Sequence, residues 1–164
     1  KPKCNPPRER RLNDNELKYI LNHKFKNNNM EHVIELALET GMRRGEILSI
    51  TKDDVKDNHI YLADTKNGSS RKIPLTNKVK QIIDKSVLPY SVTPNAVRLS
   101  WCRMIKRAGI VDLHFHDLRH EAISRFFEKG LSIPEVSLIS GHKDVRQLMR
   151  YTHLKIKNLI DKLN

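Results

Sequence analysis

His59-Ile60-Tyr61-Leu62-Ala63-Asp64-Thr65-Lys66-Asn67-Gly68-Ser69-Ser70-Arg71-Lys72-Ile73-Pro74-Leu75 is the one stretch where the helical period of this chain gives way to strands. Residues 59–65 and 71–75 read as two strands. Asn67-Gly68 between them is a pair that accepts the positive φ of a tight hairpin turn. Upstream, the sequence is helical from Leu12, with Asn13 and Glu16 spaced as a capping box and Leu17, Ile20 and Leu21 as a stripe. A second helix runs from about Met30 to Thr40 and ends at Gly41, and a short third covers Arg44–Ser49. Downstream, helices are predicted over about 76–87, 94–108, 117–129, 132–139, 144–151 and 155–163. Pro94 and Pro134 sit near helix starts, and Gly109 and Gly130 where helices end. The fold class is therefore mainly α with one small antiparallel β-hairpin, an α+β domain.

At 164 residues with 38% hydrophobic side chains, the chain has enough apolar surface for one packed domain. No run of about 18 apolar residues offers a membrane span. Cys4 and Cys102 make neither a disulfide framework nor a metal knuckle, so a reducing compartment is expected. The formal net charge of +12 points to a polyanionic partner, nucleic acid first. Residues 1–11, Lys-Pro-Lys-Cys-Asn-Pro-Pro-Arg-Glu-Arg-Arg, carry +4 and three prolines and read as an extended linker, with a further domain expected before it.

Candidate chemistry is concentrated in five places. In His114-Phe115-His116-Asp117-Leu118-Arg119-His120, His116 and His120 share a helix face, and His116 and Arg119 lie one turn apart at a helix start. The histidines and Asp117 supply at best part of a zinc site, and no metal is assigned. An imidazole and a guanidinium at a helix N-terminus suit a phosphate better. Thr40-Gly41-Met42-Arg43-Arg44-Gly45-Glu46 places Arg43 just past a helix end, with Glu46 close enough to orient it. Lys66 stands at the hairpin mouth. Ser140-Gly141-His142 and, nine residues after His142, Tyr151 complete the set.

Taken in order, Thr40-Gly-x-Arg43-x-x-Glu46, the hairpin lysine, His116-x-x-Arg119, Gly141-His142 and Tyr151-Thr-His resemble the catalytic domain of tyrosine recombinases, the phage-integrase family. The resemblance covers residues 12 to about 155. It implies the DNA breaking–rejoining fold for residues 12–164, with a core-binding domain upstream of residues 1–11. The sequence departs from the family pattern at Ser140, at Glu121 and at Gln147 and Leu148.

The resemblance implies site-specific DNA cleavage and rejoining through a 3′-phosphotyrosyl link, with no metal, ATP or other cofactor. Tyr151 would be the nucleophile. Arg43 and Arg119 are forked donors for the non-bridging phosphate oxygens, and His142 a further donor. His116 would be a base or another hydrogen-bonding partner, Lys66 the acid for the 5′-oxygen, and Glu46 a support for Arg43. Double-stranded DNA is the expected partner, with Arg98, Arg103, Lys106 and Arg107 of helix 94–108 facing the major groove. Ile156, Leu159, Ile160 and Leu163 form a stripe suited to docking on a neighbouring copy in a synaptic tetramer on DNA. A cytoplasmic, nucleoid-associated protein of bacterial or phage origin is expected. Two alternatives remain open from the residues: a binding module without catalysis, and a type IB topoisomerase.

Overall fold

The computed structural model describes residues 10–27, 29–63 and 70–152. Helix α1 (Asp14–Asn22) opens on the expected capping box. Asn13 Oδ1 accepts from the Glu16 N–H at 2.9 Å, and Glu16 Oε2 accepts from the Asn13 N–H at 3.0 Å. Helix α2 (Asn29–Thr40) carries Met30, Val33, Ile34, Leu36, Ala37 and Leu38 into the interior, and α3 (Arg44–Ser49) follows after three residues. A 3-10 turn over Lys52–Asp54 leads into β1 (His59–Leu62), which pairs antiparallel with β2 (Arg71–Pro74). His59 lies opposite Pro74 and Leu62 opposite Arg71. The paired segments are shorter than the predicted 59–65 and 71–75. Residues 64–69, including Lys66, lie outside the described residues.

Four further helices complete the core: α4 (Asn77–Asp84), α5 (Pro94–Arg107), α6 (Asp117–Glu128) and α7 (Ile133–Ser140). Helix α4 stops before the predicted residue 87, where Ser86 Oγ donates to the Ile82 carbonyl and diverts the backbone. Gly109 and Gly130 follow the ends of α5 and α6 in positive φ, as read from the sequence. The predicted helix 144–151 shrinks to α8 (Arg146–Met149). Asp144 takes the Arg146 N–H on its side chain at 3.0 Å, and the Tyr151 N–H reaches back only to the Leu148 carbonyl at 3.0 Å, closing a tight turn. The predicted helix 155–163 lies outside the described residues.

Helix α2 is the central element, packed against α1, α3, α4 and α6; α7 bridges β2, α6 and α8. The larger core gathers α2, the hairpin and α5, where Trp101 meets Phe115 edge-on at 5.4 Å and donates to the Leu113 carbonyl at 3.1 Å. That bond pins the loop leading into α6. A smaller core of Ala122, Ile123, Phe126, Val136 and Leu148 takes in the Tyr151 ring.

Arg10 and Arg11 are held on this body. Arg10 pairs with Glu16, and Arg11 donates to Glu121 from Nε at 2.8 Å and Nη2 at 3.1 Å. Glu121 is buried. Its burial would raise its pKa, but the hydrogen bonds from Arg11 and Arg125 outweigh that and hold it low. The departure at Glu121 is thus compensated by Arg11 and Arg125. Among the described residues no helix is long and apolar enough to cross a membrane.

Candidate active site

Helix ends converge on one open cleft of about 480 Å³, lined by Arg43, His116, Arg119, His120, His142, Lys143, Asp144, Gln147 and Arg150. Thr40 closes α2 by donating to the Leu36 carbonyl, and its Oγ1 accepts from the Met42 N–H at 3.2 Å. Gly41 takes the left-handed φ of 64° needed to turn the chain there. Arg43 then emerges beside the start of α3. Its backbone N–H donates to Glu46 Oε2 at 2.7 Å, and its Nη1 to Glu46 Oε1 at 2.9 Å. Glu46 thus holds both the backbone and the side chain of Arg43.

Arg119 is buried. Its Nη1 donates to the Gly41 carbonyl at 2.6 Å and its Nη2 to the Ser140 carbonyl at 2.7 Å. One guanidinium therefore ties the end of α2 to the end of α7. Burial, and then the charge of Arg43, lower its pKa to about 10, so it stays cationic at neutral pH. Gly141 caps α7 with φ 72°, which turns His142 back over the cleft. Ser140 Oγ lies 2.7 Å from His142 Nδ1, and Ser137 Oγ donates to the His142 carbonyl at 2.7 Å. With the Ser140 hydroxyl donating to Nδ1, the proton of a neutral His142 sits on Nε2, the nitrogen a substrate oxygen would meet. The departure at Ser140 thus orients His142.

The Tyr151 hydroxyl meets two groups. Arg150 Nη2 donates to it at 2.8 Å, with the guanidinium carbon 4.9 Å from the ring centroid, and His120 Nδ1 makes a short hydrogen bond to it. Burial raises the phenol pKa, against the opposing pull of Arg150 and Arg119. The imidazole on the phenol is that of His120, and His116, read from sequence as the candidate base, packs edge-on against His120 at 4.9 Å. Both histidines share a face of α6 as expected; the position of residue 151 selects between them.

Arg71, Arg150 and the role of His120 escaped the sequence reading. Arg71 had a signal. In β2 it shares a face with Ile73, so period-two alternation sends it inward. Arg150 had only its adjacency to Tyr151. Its Nε is buried without a hydrogen-bond partner among the described residues. Of the four basic residues read as groove-facing, all are exposed, and Arg98 lines a second cleft with Arg44, Trp101 and His116 beside the first. Arg107, nine residues on, is about two and a half turns away and faces the other side of α5. The proposed face is therefore split, with Arg98 the member adjoining the site. No group of three or more His, Cys, Asp or Glu side chains suited to a metal occurs among the described residues.

Burial, followed by the His116 and Arg150 charges, lowers the His120 pKa to about 4. Burial and the Arg119 and Arg43 charges do the same to His142. Lost hydration in the cleft and the Arg119 charge also lower His116. These rings are neutral at pH 7. As pH falls below about 6.5 the unfolded chain binds protons that the folded site refuses until about pH 4, so stability is lost across that window and the loss levels off below it. The thermal midpoint should fall by roughly 5 °C or more between pH 7 and pH 5. Scanning calorimetry at fixed ionic strength measures this, and a flat midpoint would contradict the burial of these rings.

The chain matches the phage integrase family over residues 10–158. It is 40% identical over 173 residues to the shufflon-specific DNA recombinase of Escherichia coli, covering 100% of this chain and 45% of that protein. It is 30% identical to tyrosine recombinase XerA of Saccharolobus solfataricus, covering 96% of this chain and 57% of that one. The chain thus spans about half the length of the curated relatives it matches. Its fold is that of a crystallised XerA recombinase, with a TM-score of 0.73 at 20% identity over 99% of this chain and 65% of that one. It is equally that of a lambda integrase dimer bound to a core site, with a TM-score of 0.73 at 22% identity over 90% and 61% of the two chains. With arginines and imidazoles lining one cleft, the Tyr151 hydroxyl hydrogen-bonded to two of its lining residues, and the family match running through nearly all of the sequence, this chain belongs to the phage integrase family.

Proposed function

We propose that this chain is the catalytic domain of a site-specific DNA recombinase that cuts and rejoins strands through a 3′-phosphotyrosyl intermediate. The observation that carries the reading is the Tyr151 hydroxyl, held by His120 and Arg150 beside a cleft lined by Arg43, Arg119 and His142. A diester phosphate in that cleft meets cationic forks at the places where its non-bridging oxygens gain charge. The His120 ring is neutral at pH 7, and in the tautomer with its proton on Nε2 its Nδ1 takes the Tyr151 proton as Oη attacks phosphorus. The O–P bond forms as the bond to the 5′-oxygen breaks. Lys66, outside the described residues, supplies the proton to that oxygen. A 5′-hydroxyl from another strand reverses the step, so the bond energy is kept in the phosphotyrosine and no ATP is consumed.

The partners proposed are double-stranded DNA and further copies of the same chain in a synaptic tetramer. The lambda integrase neighbour bound to a core site supports the first, and Arg98 next to the cleft is placed to hold flanking phosphate. Most of the +12 charge then serves the backbone, and binding should weaken steeply with salt.

The test is a suicide duplex. A binding sequence selected from a random DNA pool is nicked just beyond the scissile phosphate, so that the short 5′-hydroxyl fragment diffuses away after cleavage. A covalent protein–DNA band in denaturing gels, formed in EDTA, is expected. Binding without a band favours a DNA-binding module that lacks catalysis. Relaxation of supercoiled plasmid without sequence preference favours a topoisomerase.

A further inference from the structure

Glu46 is buried, and its carboxylate is fully occupied. Oε1 accepts from Arg43 Nη1 at 2.9 Å and Arg71 Nη1 at 2.9 Å; Oε2 accepts from the Arg43 N–H at 2.7 Å and Arg71 Nη2 at 2.7 Å. A carboxylate offers about four acceptor sites, and all four are filled. Burial works to raise the Glu46 pKa, but the Arg71 and Arg43 hydrogen bonds outweigh it and hold it at about 2. The side chain of Arg71 is only 5% exposed, and each of its three nitrogens already donates to a protein acceptor. Its third contact is Nε to the Ile139 carbonyl at 3.0 Å, just before the turn that carries His142. A Cβ placed on Gly141 would lie 3.0 Å from Arg71 Cδ, so the two pack without a gap.

We propose that Arg71 is a positioning residue that keeps the Arg43 fork available for the scissile phosphate and supports the turn carrying His142. With Arg71 in place, Arg43 can spend one side-chain N–H on Glu46 and no more, and the rest of its fork serves the cleft. Without Arg71, two acceptor sites on a buried carboxylate open. Arg43 then closes on Glu46 as a two-bonded pair, the geometry this couple prefers, and its charge is drawn away from the phosphate. Lysine cannot replace Arg71, because a single ammonium cannot cover both oxygens and the Ile139 carbonyl together.

The inference rests on the strand-cleavage reading, and the experiment separates the two. The rate of covalent complex formation is measured on the nicked suicide duplex with an ordinary phosphate, and on the same duplex with a methylphosphonate at the scissile position. The methyl group removes the negative charge that Arg43 would neutralise. Arg71→Met is expected to slow cleavage of the phosphate at least 100-fold, with less than a tenfold defect on the methylphosphonate. Arg71→Lys should show the same pattern with a smaller loss, and it carries the measurement if the methionine variant fails to fold by circular dichroism. An equal loss on both substrates would mean that Arg71 acts only through folding and would overturn the proposal. So would a wild-type rate in either folded variant. Failure of the unmodified protein to cleave either duplex would overturn the strand-cleavage reading itself and this inference with it.

Discussion

Tyr151→Phe should abolish the covalent protein–DNA band while leaving DNA affinity within about twofold of the original. The substitution removes one oxygen and keeps the ring, which fills part of the smaller core with Ile123, Phe126 and Leu148. Its structural cost is the loss of the Arg150 and His120 hydrogen bonds, roughly 2–4 kcal/mol. On the proposed strand-cleavage reading, its chemical cost is the nucleophile itself. Covalent capture should fall by at least about 10⁴-fold, to the detection limit of a denaturing gel, because the attacking oxygen is gone. Persistent capture at more than a few per cent of the original rate would mean that another residue forms the bond. Tyr151→Ala would be a poorer test, because it also empties part of a core and confounds chemistry with a cavity.

The second large effect belongs to Arg119. Arg119→Met keeps most of the aliphatic length and discards every donor. The Gly41 and Ser140 carbonyls each lose a charged partner, and the folded state should lose roughly 2–4 kcal/mol, read from urea midpoints. On the proposed reading cleavage should fall by about 10³-fold or more, because the guanidinium that would meet the phosphate also joins the ends of α2 and α7 on which Arg43 and His142 depend. Arg119→Lys retains the charge and one carbonyl bond, so its stability loss should be about half as great, while cleavage still falls by about 10²-fold for want of the fork. A methionine variant that is destabilised yet cleaves within tenfold of the original would show that Arg119 is structural only.

Much of the fold was legible in the sequence for a local reason. The Asn13–Glu16 capping box, the prolines at the starts of α5 and α7 and the glycines beyond α2, α5 and α6 all act within one turn of the residue that carries the signal. The β1–β2 hairpin declared itself through alternation and Asn67-Gly68. Where the reading failed, a side chain had intervened. Asp144 shortened the last helix, and Ser86 ended α4 early. Both are short polar residues that compete for backbone groups, and their choice depends on what packs beside them.

The candidate site divides along the same line. The motif residues Arg43, Glu46, Arg119, His142 and Tyr151 were named through the resemblance to a family pattern, whose motifs each span a turn or a helix end. Tertiary structure decided how they work together. It set His120 rather than His116 against the phenol, put Arg150 on the same oxygen, and turned the unexpected Ser140 into the hydrogen-bond partner of His142. It also brought Arg71, 25 residues from Glu46 in sequence, onto that buried carboxylate. The physical reason is that spacing encodes which residues share a face, whereas a buried polar group must find its partner wherever packing supplies one. That partner is a fact of three dimensions, set by the cost of leaving a buried polar group without a hydrogen bond.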